Sequence, residues 1–201
     1  MSELERWETR FSAEHYVFGT APNAFLARHA HRIAPGAKVL SIADGEGRNG
    51  VWLAERGFDV TAQDFSPTAQ EKSRRLAAER GVSLTWELSD LRAREWTPDA
   101  HDAVVGIFFQ FLAPADRAEV FRGIAATVRP GGVVLIEGYG PKQLDYGTGG
   151  PKVLENLYTE TVLREAFAGF AEVETAAYDA EMSEGPGHEG MSALVDLVAR
   201  K

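Results

Sequence analysis

The stretch from Lys38 to Gly50 constrains the fold of this chain most strongly. A short apolar run, Val39-Leu40-Ser41-Ile42, passes abruptly into Ala43-Asp44-Gly45-Glu46-Gly47, and a helical pattern starts at Val51. A strand, a glycine-rich turn and a helix in this order let the backbone approach a ligand closely. They also direct free N–H groups at that ligand from the helix N-terminus. The stretch therefore predicts a nucleotide-recognition turn in an α/β fold.

Strands and helices alternate along the rest of the chain. Ser66 followed by Pro67 is a typical helix N-cap and first helical position. The almost wholly apolar run from Ala103 to Phe109 favours a strand buried on both faces, as in a parallel sheet. The pattern predicts helices at residues 22–33, 51–55, 67–80, 114–128 and 159–168, and strands at residues 37–43, 58–64, 82–87, 103–109, 133–137, 170–182 and 191–200.

This alternation predicts a doubly wound, mostly parallel, seven-stranded Rossmann-like sheet built from five right-handed β–α units. Its last two strands, joined through residues 185–188 without a helix, form a C-terminal antiparallel hairpin. A length of 201 residues is most simply one domain, residues 1–201. We expect residues 1–35 to form an N-terminal lid and helix, and residues 36–201 to form the core. The glycine-rich residues 138–152 predict a long loop, and such loops are usually functional.

Composition and charge limit the partners and the metals. The net charge is −9, and a large polyanionic partner requires a basic surface. We therefore expect a small-molecule substrate, with no nucleic acid and no membrane as partner. The basic cluster Lys72–Arg75 with Arg80 lies among glutamates, which predicts a solvated helix face. No two of the five histidines have metal-ligand spacing with carboxylate support, so no metal is predicted.

Location is inferred from what the sequence does not contain. There is no apolar run of about 18 residues, the length that a membrane-spanning helix requires. The N-terminal residues 1–6 show neither the basic nor the apolar region of a secretory signal. The absence of cysteine removes disulfides and thiolate nucleophiles. We expect a cytoplasmic protein, and nothing in the sequence indicates its oligomeric state.

Six short strings form a pattern that covers nearly the whole chain. They are Tyr16-Val-Phe-Gly19, Pro22-Asn23-Ala-Phe-Leu26, Gly45-Glu-Gly-Arg-Asn49, Ile107-Phe-Phe-Gln-Phe-Leu112, Arg129-Pro-Gly-Gly132 and Gly149-Gly-Pro151. Together they resemble the class I S-adenosylmethionine-dependent methyltransferases, most closely the small tellurite-resistance and thiopurine-methyltransferase-like group. The resemblance implies a methyltransferase fold, S-adenosylmethionine (SAM) as cofactor and S-adenosylhomocysteine (SAH) as its product.

The resemblance also implies a set of cofactor-binding residues. Gly45 and Gly47 lack Cβ, so their backbone can lie against the methionine part and the ribose. Asp64 can accept hydrogen bonds from the ribose hydroxyls, and Asp90 is implied to bind the adenine amino group. The alternative for each carboxylate is an ordinary solvated turn or strand end. The full implied set is Arg10, Ala43, Asp44, Gly45, Gly47, Asn49, Asp64, Phe65, Asp90, Leu91 and Phe108.

Two positions of the turn depart from the family pattern. An acidic residue often stands two places before the first glycine, where this chain has Ser41, and the first glycine itself is Ala43. Alanine is tolerable at this position if φ is negative there. The contact that the acid usually makes has no evident source in the sequence.

The acceptor is expected at the carboxyl edge of the sheet, under the N-terminal lid. An aromatic ring beside a sulfonium gains cation–π attraction, and Trp7 and Phe11 are further candidates for it. The predicted acceptor contacts are Tyr16, Phe18, Gln110, Tyr139, Gln143 and Tyr146. A soft sulfur, selenium or tellurium nucleophile needs little deprotonation at neutral pH. An oxygen or carbon acceptor would need a general base, for which the candidates are His15, Tyr146 and His188.

Two other functions stay open at this point. The string from Gly45 to Gly50 matches the dinucleotide fingerprint of an NAD(P)-dependent oxidoreductase. Its glycines begin about two residues too late after the strand, which argues against that function. A SAM-binding sensor or partner protein without transferase activity is the second alternative.

Overall fold

The computed structural model describes residues 2–201, in which a central sheet carries helices on both faces. The helices are α1 (Glu3–Phe11), α2 (Ala24–His29), α3 (Arg48–Glu55), α4 (Pro67–Arg80), α5 (Pro114–Thr127), α6 (Gln143–Tyr146) and α7 (Glu160–Ala166), with 3-10 turns at Ala30–Arg32 and Leu154–Asn156. The strands are β1 (Lys38–Ile42), β2 (Asp59–Asp64), β3 (Thr85–Leu88), β4 (His101–Ile107), β5 (Val128–Tyr139), β6 (Glu172–Ser183) and β7 (Glu189–Arg200).

The sheet has the strand order β3-β2-β1-β4-β5-β7-β6. Strands β1 to β5 are parallel, whereas β7 runs antiparallel to both β5 and β6. The predicted α/β fold with a C-terminal antiparallel hairpin is confirmed. The strand order reverses between β1 and β4, and in such sheets ligands bind in the crevice outside the carboxyl ends of the strands.

Apolar side chains form a layer on each face of the sheet. Phe121 of α5 and Phe167 of α7 belong to one layer, and Phe25 of α2 and Leu53 of α3 belong to the other. The central strands are therefore buried on both faces, as their apolar sequences predict. Within residues 2–201, no helix is both long and apolar enough to cross a membrane.

Two details of the predicted pattern are wrong. Between β3 and β4 the chain forms no helix, as the pattern predicts, and the indole of Trp96 packs on α5, where a Cβ on Gly123 would lie 2.4 Å from the ring. The helix predicted at residues 22–33 ends at His29 and continues only as a 3-10 turn. Strand β5 begins at Val128, since pairing with β4 extends to His101.

Helix α1 was not predicted, although its capping signal is in the sequence. The Ser2 hydroxyl accepts from the backbone N of Glu5, and the Glu5 carboxylate accepts from the backbone N of Ser2. Farther along α1, the Glu8 carboxylate accepts hydrogen bonds from the hydroxyls of Ser66 and Thr68 at the start of α4. These contacts seat α1 over the carboxyl edge of the sheet.

Candidate active site at the carboxyl edge of the sheet

The carboxyl ends of β1, β2, β4 and β5 border one large cavity, which α1 and the hairpin tip between β6 and β7 cover. Twelve residues predicted for cofactor, acceptor or base roles line it. They are Arg10, Phe18, Ala43, Asp44, Gly45, Asn49, Asp64, Phe65, Phe108, Gln110, Tyr139 and His188. Residues 2–201 contain no group of three or more His, Asp or Glu side chains that could hold a metal ion.

Asp44 lies in the turn after β1 with one carboxylate oxygen unsatisfied. Its Oδ1 accepts from the Ser41 hydroxyl at 2.6 Å and from the backbone N of Gly50 at 2.9 Å. Its Oδ2 is buried and has no hydrogen-bond partner. Burial raises the pKa of Asp44 to about 7. Position 41 has no acid, but the carboxylate of Asp44 lies three residues later and accepts a hydrogen bond from the Ser41 hydroxyl.

Ala43 does not meet the condition of a negative φ. Its φ is +47°, in the left-handed region, which costs a residue with a Cβ roughly 1–2 kcal/mol. The Ala43 backbone N donates to Gln63 Oε1 at 3.0 Å, and the Asp44 backbone N donates to the Gln63 carbonyl at 3.0 Å. These two hydrogen bonds from β2 hold the turn in its strained conformation.

Asp64 faces the same turn from the end of β2. Its Oδ2 accepts from the backbone N of Gly45 and its Oδ1 from the backbone N of Ser66, both at 2.8 Å. Burial raises the pKa of Asp64 to about 6. Beside it, Phe65 stacks on Phe111 with 5.7 Å between centroids and 5° between ring planes. The Asp64 carboxylate can accept further hydrogen bonds. It lies next to the two stacked rings of Phe65 and Phe111.

Asp90 and Leu91 do not line this cavity. The Asp90 carboxylate pairs with the Arg92 guanidinium at 2.6 Å, and these hydrogen bonds lower the pKa of Asp90. Leu91 is buried in the apolar core. Asp90 instead lines a smaller second pocket, and Phe65 borders both spaces. Asp64 and Asp90 therefore lie in two different spaces that share Phe65 as a lining residue.

Four aromatic rings that line the cavity contact one another, and we call Phe18, Phe108, Tyr139 and His188 the aromatic cluster. The His188 ring centroid lies 4.5 Å from that of Phe18, 4.4 Å from that of Phe108 and 5.9 Å from that of Tyr139. Phe108 has a φ of +55°. Strained backbone of this kind concentrates at functional sites.

His188 is the only histidine in the lining within residues 2–201. It is buried, and its Nδ1 has no hydrogen-bond partner. Burial, followed by the positive charges of Arg48 and Arg10, holds the pKa of His188 well below its usual range. The imidazole is therefore neutral and weakly basic near pH 7. The other candidate bases, His15 and Tyr146, do not line the cavity.

Helix α1 contributes aromatic and basic side chains to the cover of the cavity. Trp7, Arg10 and Phe11 line it. The Arg10 guanidinium lies 4.7 Å from the ring centroid of Phe18 and 5.3 Å from that of Trp7. Arg10 therefore contacts both Trp7 of α1 and Phe18.

Several predicted contacts have structural partners instead. Gln110 borders the cavity, but its Nε2 donates to the Tyr139 carbonyl at 2.8 Å and its Oε1 accepts from the Tyr139 backbone N at 2.5 Å. Gln143 is buried outside the lining, where its Oε1 accepts from the backbone N of Ala193 at 2.9 Å. The Tyr16 hydroxyl, also outside it, donates to the carbonyl of Lys72 at 3.3 Å.

Gly47 serves helix packing. It lies outside the lining, and a Cβ built there would lie 2.4 Å from Ser73 Oγ of α4. At Gly45 the same test finds only the Phe11 ring, at 3.6 Å. Of the two glycines of the turn, only Gly45 therefore leaves its Cβ side open to the cavity.

The prediction that the Lys72 cluster is a solvated helix face is wrong for Lys72. This side chain is buried at 4% exposure, and its Nζ lies 2.6 Å from Glu46 Oε1. Arg74 and Arg75 on the same helix are exposed, as predicted. The sequence pattern could not identify Lys72 as different, because its partner Glu46 lies 26 residues earlier. Glu46 belongs to the turn after β1, residues 43–47, which we call the glycine turn.

Comparisons with known proteins support one family. A family described as a methyltransferase domain matches residues 39–132. Ubiquinone biosynthesis O-methyltransferase from Aeromonas salmonicida is 36% identical over 104 residues, which are 50% of this chain and 42% of that protein. The chain spans less than half the length of the curated relatives that it matches first.

Solved structures agree with the family over the whole fold. A protein whose structure concerns the conversion of a disulfide bond into a thioacetal group during echinomycin biosynthesis matches with a TM-score of 0.76. It is 19% identical, with coverage of 100% of this chain and 93% of that one. TehB from Haemophilus influenzae matches with a TM-score of 0.71 and 19% identity, over 98% of this chain and 66% of TehB. Residues 39–132 therefore match a methyltransferase domain, and the whole chain has the fold of S-adenosylmethionine-dependent methyltransferases.

The cavity has acceptor groups that fit the cofactor bound in similar folds. Similar folds have been solved with S-adenosyl-L-methionine or its product bound. The unsatisfied Oδ2 of Asp44 is a buried acceptor without a donor, which a ligand ammonium group would satisfy. The lone pairs of Asp64 and the open backbone of Gly45 adjoin it.

Some residues that line the cavity were missed by sequence reasoning. They include Arg48, Phe111 and Lys152. Phe111 stands within the string from Ile107 to Leu112 that carried the resemblance, so its position after β4 was a usable signal. Lys152 lies in the loop predicted to be functional, but nothing in the loop sequence distinguishes it.

Proposed function

We propose that the protein transfers the methyl group of SAM to a small-molecule acceptor that presents a soft nucleophile. The observation that carries this proposal is the continuity of the cavity. It runs from the carboxylates of Asp44 and Asp64 to the aromatic cluster without leaving the carboxyl edge of the sheet. A cofactor on the first end and an acceptor at the second would share one space covered by α1.

In this proposal the chain holds SAM through four contacts. Asp44 Oδ2 accepts from the methionine ammonium, Arg10 pairs with the methionine carboxylate, and Asp64 accepts from the ribose hydroxyls. The adenine lies beyond Phe65 toward Asp90, because Phe65 borders both pockets. When bound, SAM supplies a methyl group activated by a positively charged sulfur.

The aromatic cluster and the loop at residues 150–153 form the acceptor end. Methyl transfer from a sulfonium needs a nearly collinear arrangement of nucleophile, methyl carbon and sulfur, so orientation is the main contribution of the protein. The rings and the cover formed by α1 exclude water from that line.

A weakly basic imidazole favours an acceptor that ionises by itself. His188 is neutral and faces the acceptor end, yet its low pKa makes it a poor proton acceptor. A thiolate, a selenide or a reduced tellurium oxyanion needs little help at neutral pH. Two structural neighbours support this class, since one concerns disulfide-to-thioacetal conversion and another is TehB. A cytoplasmic location accords with free thiols as acceptors.

The experiment measures SAH formation by mass spectrometry with an acceptor panel of equal ring size: a thiol, a selenol, a phenol and an aniline. We expect turnover with the thiol and the selenol and much less with the phenol and the aniline. The Asp64→Asn variant serves as the control for background methylation. Turnover confined to the phenol or the aniline would contradict the soft acceptor.

The same measurements separate the alternatives. A SAM-binding sensor would bind SAH in calorimetry but form no product with any member of the panel. An oxidoreductase would gain thermal stability from NAD(P) and none from SAH. The buried, unsatisfied Asp44 carboxylate favours SAM over NAD(P), because a dinucleotide has no ammonium group to place there.

A further inference from the structure

Polar side chains of the glycine turn and of the first turn of α3 bind the N-terminal segment and the hairpin tip. Glu46, Arg48 and Asn49 all border the cavity, and their side chains make their hydrogen bonds on its covering elements. The backbone of the turn and its side chains therefore have different partners. The backbone faces the cofactor end, whereas the side chains fasten residues 17–24 and the tip at residues 183–189.

Glu46 is the centre of this arrangement. Its Oε2 accepts from the backbone N of Val17 at 2.7 Å and from that of Phe18 at 3.4 Å. Its Oε1 accepts from Lys72 Nζ at 2.6 Å, and Lys72 Nζ also donates to the carbonyl of His15 at 2.7 Å. One buried ion pair thus holds the chain on both sides of Tyr16, directly before the ring of Phe18.

Arg48 and Asn49 make further contacts with the same covering elements. The Arg48 guanidinium pairs at 2.7 Å with Glu184 Oε2, and Glu184 Oε1 accepts from the backbone N of Ala24 at 2.8 Å. Asn49 Oδ1 accepts from the backbone N of Asn23 at 2.9 Å. The hairpin tip and the start of α2 are therefore tied to the turn and to each other.

Stability alone does not explain the buried ion pair between Glu46 and Lys72. Taking both charges from water costs about as much as their attraction returns, so such pairs are often replaceable by apolar residues. Here the pair sits where the cofactor end meets the acceptor wall. Phe18 belongs to the aromatic cluster, and its position depends on a carboxylate of the turn itself.

We propose that Glu46, Arg48 and Asn49 are positioning residues that couple cofactor occupancy of the glycine turn to the seating of residues 17–24. Through Val17 and Phe18, an occupied turn holds the acceptor wall more firmly in place. The inference rests on the proposed function, since it requires SAM or SAH at the turn. Because coupling between two sites is reciprocal, the seated segment also tightens the cofactor.

The first test uses the unmodified protein and SAH. Hydrogen–deuterium exchange is followed at residues 16–24 with and without saturating SAH. We expect SAH to slow exchange there, with residues 130–133 at the amino edge of the sheet unchanged as an internal reference. Slowed exchange supports the coupling. SAH binding with unchanged exchange at residues 16–24 would overturn the inference alone, whereas failure to bind SAH would overturn the proposed function together with it.

The second test removes the ion pair without leaving a buried charge. The double variant Glu46→Leu with Lys72→Met takes away the acceptor of Val17 N and its charged partner. We expect SAH to bind about 5-fold to 150-fold more weakly, the usual range of a coupling factor. We also expect saturating SAH no longer to slow exchange at residues 16–24, and KM for the acceptor to rise more than kcat falls.

Two further variants separate coupling from general destabilisation. Glu46→Gln with Lys72→Met keeps an oxygen for Val17 N, and we expect it to regain the SAH-dependent protection. Asp102→Asn with Arg129→Met removes an ion pair at the amino edge of the sheet, and we expect wild-type protection. Equal protection in all three double variants would overturn the inference. If the first double variant does not fold, the exchange measurement on the unmodified protein decides.

Discussion

Glu137 and Asp196 lie directly opposite each other across the antiparallel pairing of β5 and β7. Both carboxyls are buried, and burial with mutual repulsion raises the pKa of Glu137. Glu137 Oε2 accepts from the Asn23 amide at 2.5 Å, and the Tyr178 hydroxyl lies 3.3 Å from Oε1. The fold therefore keeps a proton on this pair near neutral pH, beneath the start of α2.

The pair predicts that stability falls as pH rises. The pKa of Glu137 is raised to about 8 in the fold, so its stabilising protonated form is lost as pH passes through that value. We expect the free energy of unfolding to decrease between pH 6 and pH 8.5, with about 2 kcal/mol of that decrease due to Glu137.

Glu137→Gln should flatten this dependence, because an amide replaces the proton. Urea unfolding at both pH values measures it, with Glu71→Gln on the exposed face of α4 as control. An equal pH dependence in wild type and Glu137→Gln would contradict the assignment.

Gly47 and Gly57 share a positive φ but differ in the space around them. Their φ values are +92° and +84°, and a Cβ would meet Ser73 at Gly47 but nothing within 4 Å at Gly57. We expect Gly47→Ala to cost about 2–4 kcal/mol, through strain plus overpacking, and Gly57→Ala roughly 1–2 kcal/mol, through strain alone. Chemical denaturation measures both. Equal losses would mean that contact with α4 does not explain Gly47.

The ribose assignment predicts that Asp64→Asn weakens SAH binding by about tenfold or more, since a charge-assisted hydrogen bond contributes about 1.5–3 kcal/mol. The amide keeps its oxygen for one of the two backbone N–H groups, those of Gly45 and Ser66, and circular dichroism checks that the variant is folded. Asp59→Asn, at the exposed beginning of the same strand, is the matched control and should bind normally. Isothermal calorimetry measures both. Unchanged affinity in Asp64→Asn would refute the assignment.

The low pKa of His188 predicts a pH profile governed by the acceptor. With a thiol and saturating SAM, log(kcat/KM) for the thiol should rise toward the pKa of that thiol and show no inflection between pH 6 and pH 7. His188→Phe should retain the shape of this profile, because no proton passes to the ring. A loss of about 10²-fold or more together with a changed profile would instead identify His188 as a general base.

The alternation of strands and helices was predictable because local signals mark each element. The Ser66 cap with Pro67 begins α4 at the expected position, and Gly81 ends it with a left-handed φ of +69°. The apolar run of β4 indicated burial on both faces, which the structure confirms. The capping box at Ser2 and Glu5 was an equally local signal for α1, although the mixed residues around it concealed the helix.

Contacts between distant parts of the chain could not be predicted in this way. The burial of Lys72 depends on Glu46, and the role of Gln143 depends on Ala193, fifty residues away. Neither hydrophobic periodicity nor spacing carries such information. The compensation of Ser41 by Asp44 spans only three residues, yet it needed the geometry of a turn with positive φ at Ala43.

The most direct test of the central claim is the pH dependence of SAH affinity. Asp44 has a pKa of about 7, and a ligand ammonium group binds its ionised form. We therefore expect the affinity to rise by about tenfold between pH 6 and pH 8, with a proton released on binding. Asp44→Asn should bind weakly and lose this rise, whereas Glu137→Gln, which alters a buried carboxyl outside the cavity, should keep it. An affinity that is independent of pH, or one that Asp44→Asn leaves unchanged, would contradict the account.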